Sequence, residues 1–259
     1  AGKCWVGFSE VSDNLLKDLK AETFVNAKAR GPQELAAVLA ALRRDTVAKP
    51  VVYVGAGTCG LGAGAGKTLA AVREFLAQNK IDADVVEVGC NGMCSDEPIM
   101  DIQVPGRARV SFSTVTADKA PQVLEAVLLQ NRIPPELVLG QYRAPSAKPW
   151  DNVSYLDEHP FLSRQVRVVL ASSGIIDPGN IHEYIAHGGY GSIAKVLRTM
   201  TPDAVCDLIE KSGLRGRGGG GFLTGKKWKF ARAAVSDQKY LICNADEGDP
   251  GAFMDRSVL

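Results

Sequence analysis

Glycine restricts this chain more than any other residue, because its 27 copies gather in two stretches instead of spreading evenly. The first holds Gly55, Gly57, Gly60, Gly62, Gly64 and Gly66, with Gly89 and Gly92 further on; the second runs from Gly213 to Gly225. Glycine lets backbone come close to a ligand or to other backbone, so each cluster marks a place where the chain is expected to wrap something. The first follows a short β-rich run, Val51 to Val54, and precedes a helical stripe of Leu69, Val72 and Leu76. The second lies between two helical patterns.

Around these clusters the chain divides into five parts. Residues 1–48 form an extension and a helix, with Leu35, Val38, Leu39 and Leu42 on one face. Residues 49–131 read β-α-β-β-β-α: strands at 51–54, 84–88, 98–104 and 107–112, the last two a hairpin about Pro105-Gly106, then a helix over 118–129 facing inward through Val123, Ala126 and Val127. Residues 132–159, rich in proline and without sustained period, read as a linker. A helical lead-in follows over 160–213, with segments near 161–170, 180–187, 190–198 and 202–211. In the last of these Thr201 caps, Pro202 opens and Gly213 stops the helix. From 214 come the glycine loop, a helix near 225–235 and a strand over 239–243. The expected class is α/β: a two-layer N-terminal domain, a helical linker segment, then the beginning of a second α/β domain, broken off before its sheet is complete.

Composition removes several functions. A net charge of +1 and 7% aromatics argue against a nucleic-acid surface, and no apolar run is long enough to cross a bilayer. Six cysteines without a secretory signal point to a reducing compartment, the cytoplasm, and to metal or redox chemistry. Lys67 ends a GLGAGAGKT stretch that imitates a phosphate-binding P-loop, but the first glycine of that motif would fall on Leu61. His159, His182 and His187 have no metal-ligand spacing.

Three constellations carry chemistry. In LRGRGGGGFLTG, Gly216, Gly218 and Gly221 satisfy G-x-G-x-x-G directly before a helix, with Arg215, Arg217, Lys226, Lys227 and Lys229 nearby. Bare N–H groups, a helix N-terminus and positive charge suit a phosphate, although the dinucleotide version of this motif follows a strand. In the second constellation, Asp246, Glu247 and Asp249 crowd a turn after the expected strand, where carboxylates suit sugar hydroxyls. In the third, Cys59, Cys90 and Cys94 form C-x30-C-x3-C on two glycine-rich loops, each after a strand, a setting that suits a [2Fe–2S] cluster. Cys206 and Cys243 read as packing residues.

SGLRGRGGGGFLTGKKWKF followed by YLICNADEGDPGAFMDR resembles the FMN- and NADH-binding subunit of respiratory complex I and its soluble relatives in NAD-linked hydrogenases and formate dehydrogenases. IDPGNIHEYIAHGGY is similar to the lead-in of the fused members, and VEVGCNGMC to their thioredoxin-like [2Fe–2S] domain. The resemblance implies that Gly216, Gly218, Gly221 and Lys227 contact FMN, that Asn244, Asp246 and Glu247 hold its ribityl and ring side, that Phe222 stacks on the adenine of NAD(H), and that Asp249 stands near the nicotinamide ribose. Leu223 stands where the family has Pro, and Asp249 where it has Glu. A hydride would pass from NADH to flavin and single electrons onward to clusters, with any [4Fe–4S] ligands beyond Leu259 and with other iron–sulfur subunits as partners. The family supplies a fourth cysteine beside the first; here Gly55, Gly60 and Gly64 occupy the nearby positions. A bound cluster and a cluster-free scaffold both remain open, as does a non-catalytic electron-transfer or assembly module.

Overall fold

The computed structural model describes residues 32–242 together with 244 and 248, in two compact units that divide between His187 and Gly188. The first is built on a mixed sheet of β1 (Val51–Gly55), β2 (Asp84–Val88), β3 (Met100–Gln103), β4 (Val110–Phe112) and β5 (Val138–Gln141), in the order β2-β1-β3-β4-β5. β1 and β2 run parallel, Val54 opposite Glu87, and the remaining pairs are antiparallel. The expected hairpin forms between β3 and β4, with Met100 opposite Phe112. A parallel pair followed by an antiparallel hairpin is the thioredoxin-like arrangement expected from the sequence, and the fold class is α/β.

Helices α1 (Pro32–Leu42), α2 (Thr58–Ala63), α3 (Ala65–Gln78), α4 (Ala120–Leu124) and α5 (Ile181–Ala186) complete this unit, α4 running on into a wide i+5 turn over Glu125–Leu129. Gly64, at φ +106°, ends α2 and starts α3; the left-handed backbone there is what separates them. One face of the sheet, through Val52, Val54, Met100, Ile102, Val110 and Phe112, packs on Leu69, Val72 and Leu76 of α3 and on Val123, Leu124 and Val127. The stripes read from the sequence are the buried ones. Each such side chain removed from water contributes about 1.5–3 kcal/mol.

The opposite face is partly ionic. Arg109, just before β4 and buried, donates through Nε to Asp101 Oδ2 (2.8 Å), through Nη1 to the Ile175 carbonyl (3.0 Å) and through Nη2 to the Gly174 carbonyl (2.7 Å). Its guanidinium carbon lies 3.6 Å from the ring centre of Tyr53 and 4.8 Å from that of Tyr142. These bonds hold the segment around Gly174 against the sheet, close enough that a Cβ on Gly174 would meet Asn91 Cβ at 2.9 Å.

Three segments differ from expectation. The 132–159 stretch is no free linker: it supplies β5, and Trp150 returns into the core. Gln141 binds it there, accepting from Trp150 N (2.7 Å) and donating to the carbonyls of Trp150 (3.0 Å) and Val153 (2.6 Å), while Trp150 Nε1 donates to Ala108 O (2.9 Å). Residues 161–170 form turns, not a helix; Val166, Val168 and Val169 point to solvent, and β-branched side chains without a packed face give a helix little support. Residues 239–242 make no strand, since no described neighbour takes their ladder bonds and Leu241 and Ile242 are exposed.

The second unit carries α6 (Gly191–Thr199), α7 (Pro202–Lys211) and α8 (Thr224–Ala233). Thr201 caps α7, its side chain accepting from Ala204 N (3.3 Å), and Gly213 at φ +71° ends it as expected. α7 and α8 touch at Gly225, where a Cβ would stand 2.3 Å from Glu210 N. Among the described residues of this unit, Cys206 is the one buried apolar side chain, while Phe222, Trp228 and Phe230 are exposed.

Candidate functional site

The glycine loop is a short β-like bend closed by backbone. Gly216 N donates to Phe222 O (2.8 Å) and Thr224 N to Leu214 O (2.9 Å), bringing Arg215 opposite Leu223. Gly219 (φ +100°) and Gly221 (φ +58°) turn the chain between them. Arg215 Nη1 donates to Gly221 O (3.0 Å) and Arg217 Nη1 to Arg215 O (2.7 Å), so both arginines serve the shape of the loop. The N–H groups of Gly218, Gly219, Gly220 and Gly221 donate to no described residue. A Cβ at any of these four would meet nothing within 4 Å. The fold therefore needs glycine for its backbone angles at two of them, and at Gly218 and Gly220 it has no packing need for glycine at all.

Positive charge is unevenly available. Lys229, named with the loop's basic residues, is committed to Asp207 (2.6 Å) and Glu210 (2.5 Å); these carboxylates raise its pKa. Arg232 pairs with Asp203. Lys226 and Lys227 in the first turn of α8 have no carboxylate partner among the described residues. The loop thus offers four glycine N–H groups with no described acceptor, two lysines with no described carboxylate and a helix start without a side-chain cap, groups that suit an anion. Phe222 is half exposed beside Phe230, ring centres 6.4 Å apart. Asp246, Glu247, Asp249 and Cys243 lie outside the described residues, as does Cys4.

In the first unit the three cysteines come together at the end of the parallel pair. Cys59 sits in the first turn of α2, just past β1; Cys90 and Cys94 sit on the loop past β2. Cys90 Sγ and Cys94 Sγ are 3.9 Å apart, and Cys59 lies near enough to Cys94 to act on its thiol. Gly92 N donates to Cys90 Sγ at 3.3 Å. Gly57 is what allows the two loops to approach, since a Cβ there would meet Cys90 Cβ at 3.1 Å. The Cys94 thiol is pushed up to about 12, first by the neighbouring Cys59 thiol, then by burial and by Cys90.

Two thiolates on one tetrahedral metal, with bonds of ~2.3 Å, stand ~3.8 Å apart, which the Cys90–Cys94 separation matches. Among the described residues no three His, Cys, Asp or Glu side chains form a ready single-ion site.

Beneath this centre lies a small polar cavity with room for about one water, lined by Gly55, Gly89, Asn91, Glu97, Asp101, Tyr53 and Tyr142 among others. Sequence reasoning passed over Glu97, although it follows Cys94 by three residues. Burial pushes its carboxyl up, against the Ile99 N–H donated to it. A second cavity, about 400 Å³, is lined by Arg43, Arg44, Arg109 and Arg143. Each of these is already paired with a carboxylate (Asp45, Glu183, Asp101, and Asp157 with Glu158), so little charge is left to recruit an anion.

The resemblance read in the glycine loop holds. Residues 209–259 match the family described as the Nuo51 FMN-binding domain. The chain is similar to the NADP-reducing hydrogenase subunit HndC of Solidesulfovibrio fructosivorans, 58% identical over 96 residues that cover 37% of this chain and 19% of that one. It is similar also to the NAD-reducing hydrogenase HoxS subunit alpha of Cupriavidus necator, 34% identical over 170 residues, 66% of this chain and 24% of that one. An NADH-quinone oxidoreductase subunit of Rhizobium meliloti is 47% identical over 92 residues, 36% and 22% of the two chains. A solved thioredoxin-like [2Fe–2S] ferredoxin from Aquifex aeolicus aligns at TM-score 0.33 and 16% identity over 39% of this chain and 100% of its own. The chain spans about a fifth of the length of the curated relatives it matches. No helix among the described residues is long and apolar enough to cross a membrane.

Proposed function

We propose that this chain belongs to the flavin subunit of an NAD(H)-linked oxidoreductase complex, working in the cytoplasm beside other iron–sulfur subunits. Its glycine loop binds the phosphate of FMN. The observation that carries this is the set of four adjacent glycine N–H groups that donate to no described residue, at positions where an added Cβ would meet nothing within 4 Å, lying within the segment that matches the Nuo51 FMN-binding domain. FMN held there would supply hydride-accepting chemistry toward NADH, and a cluster held by the cysteines would supply one-electron transfer.

The chain's own part is placement. Gly216 and Gly221 hold the loop's bend, Gly218 lets its N–H reach a phosphate oxygen, and Lys227 faces the same anion from the start of α8. Phe222, half exposed, offers a ring to the adenine of NAD(H). Asn244, Asp246 and Glu247 are assigned the ribityl and ring side, and Asp249 the nicotinamide ribose, since carboxylates beside the phosphate would repel it. In the first unit Cys59, Cys90 and Cys94 hold a [2Fe–2S] cluster at an exposed rim, where a partner can receive an electron.

Flavin fluorescence titration tests the phosphate site. Lys227→Ala removes one charge-assisted contact, about 1.5–3 kcal/mol, so FMN should bind roughly ten- to a hundredfold more weakly. Gly218→Val should do at least as much by blocking the backbone. Unchanged affinity in both variants would mean that the loop is not the flavin site.

A further inference from the structure

The cysteine motif is one ligand short, and the fold brings a carboxylate to the gap. Of the three glycines near Cys59, Gly64 faces open space at a positive φ. Gly60 has no room for a side chain, because a Cβ there would lie 2.1 Å from the Gly55 carbonyl oxygen. At Gly55 the three atoms nearest an added Cβ all belong to Glu97, with Oε2 at 3.0 Å and Oε1 at 3.2 Å. The volume that a side chain at 55 would enter is therefore already filled by the Glu97 carboxylate, reaching in from the loop that carries Cys90 and Cys94.

Glu97 is 7% exposed. Ile99 N donates to its Oε2 at 2.8 Å, which fixes the plane of the carboxylate. Its Oε1 is buried and has no partner among the described residues. A buried carboxylate oxygen without a donor is costly, and a metal ion is one of the few partners that offset it. A backbone donor holding one oxygen while the other stays open is also how outer-sphere bonds orient a metal ligand.

We propose that Glu97 is the fourth ligand of the cysteine centre, a carboxylate oxygen standing in for the thiolate that the motif lacks. This rests on Cys59, Cys90 and Cys94 being ligands of a [2Fe–2S] cluster. Cys90 and Cys94, 3.9 Å apart, suit one iron. That leaves Cys59 and Glu97 for the other: Cys59 is the neighbour of Gly60, whose added Cβ would lie 3.1 Å from Glu97 Oε2. Protons leave the carboxyl and the thiols for solvent as the metal binds.

The test uses the full chain, reconstituted with iron and sulfide without oxygen, as wild type, Glu97→Gln and Glu97→Cys. Glutamine keeps the shape and an acceptor for Ile99 N–H but carries no charge. Iron and sulfide content, charge-transfer absorption and the electron paramagnetic resonance g-values of the reduced protein are read. The wild type should hold about two irons and two sulfides. Glu97→Gln should lose iron to a chelator at least ~tenfold faster, since outer-sphere partners alone are worth ten- to a hundredfold. Glu97→Cys should keep its iron, with stronger thiolate-to-iron absorption and shifted g-values. Wild-type iron retention and g-values in Glu97→Gln would overturn Glu97 as a ligand and leave the cluster standing. Iron in Glu97→Cys but none in the wild type would also overturn it. No iron in any of the three would remove the cluster itself.

Discussion

Arg109→Met is the substitution that most sharply tests the ionic face of the sheet. The arginine makes three side-chain hydrogen bonds, an ion pair of 2.6 Å with Asp101 and contacts with two tyrosine rings. Methionine restores most of the volume and none of the charge. Asp101 would then be left buried, with the Tyr142 hydroxyl at 3.1 Å as its remaining donor. An uncompensated buried charge costs ~3–5 kcal/mol. Lost contact with the tyrosine faces adds ~0.5–2 kcal/mol. Adding Asp101→Asn removes the stranded charge and keeps an acceptor for Tyr142, so the double variant should be more stable than Arg109→Met alone by ~2 kcal/mol or more. Urea unfolding followed by the fluorescence of buried Trp150 gives the stabilities. Amide exchange gives a second readout, because the Gly174 and Ile175 carbonyls lose their donors and amides over 172–176 should exchange faster. A single variant within ~1 kcal/mol of wild type, or a double variant no more stable than the single, would refute the account.

Gly225→Ala should destabilise the second unit by about 1–3 kcal/mol, because the new methyl meets backbone of α7 that cannot turn away; a thermal melt indistinguishable from wild type would count against the tight α7–α8 contact. Cys94, whose pKa is raised to about 12, stays a thiol at pH 8. In iron-free protein it should be alkylated at least ~tenfold more slowly than free cysteine of pKa ~8.5, faster only as pH climbs toward 12, and peptide mass spectrometry that found it labelled at the free rate would contradict this. Iron uptake at the same centre should weaken as pH falls, since each thiol must shed its proton; a flat uptake between pH 6 and 9, measured by chelator competition at about equal iron, would exclude thiolate ligation.

What could be read in the sequence was whatever repeats locally. The stripe of Leu69, Val72 and Leu76, the four buried residues Val51–Val54 and the stop at Gly213 each announce themselves within one or two turns of chain. The convergence of Cys59 with Cys90 and Cys94 was legible too, because both loops leave parallel neighbouring strands at the same end. β5 was not, since its place depends on Gln141 gripping Trp150 and Val153, contacts that no periodicity encodes. Residues 161–170, expected as a helix, form turns because Val166, Val168 and Val169 have no surface to pack on. Glu97 escaped because an acidic residue after a cysteine motif looks like a solvated turn until Gly55 and Gly60 are seen to face it.

Among the described residues of the second unit, Cys206 alone is a buried apolar side chain. Apolar burial is the main term set against chain entropy, at ~1–2 kcal/mol of entropy cost per ordered residue, and the described residues of this unit supply little of it. Whatever binds it acts on its folding equilibrium by mass action, adding about 2.7 kcal/mol at a free ligand concentration a hundred times Kd. Cofactor occupancy and folding are then one linked quantity. The unfolding temperature of α6–α8 should climb with the logarithm of FMN concentration, while that of the sheet domain, with its own core, should not move.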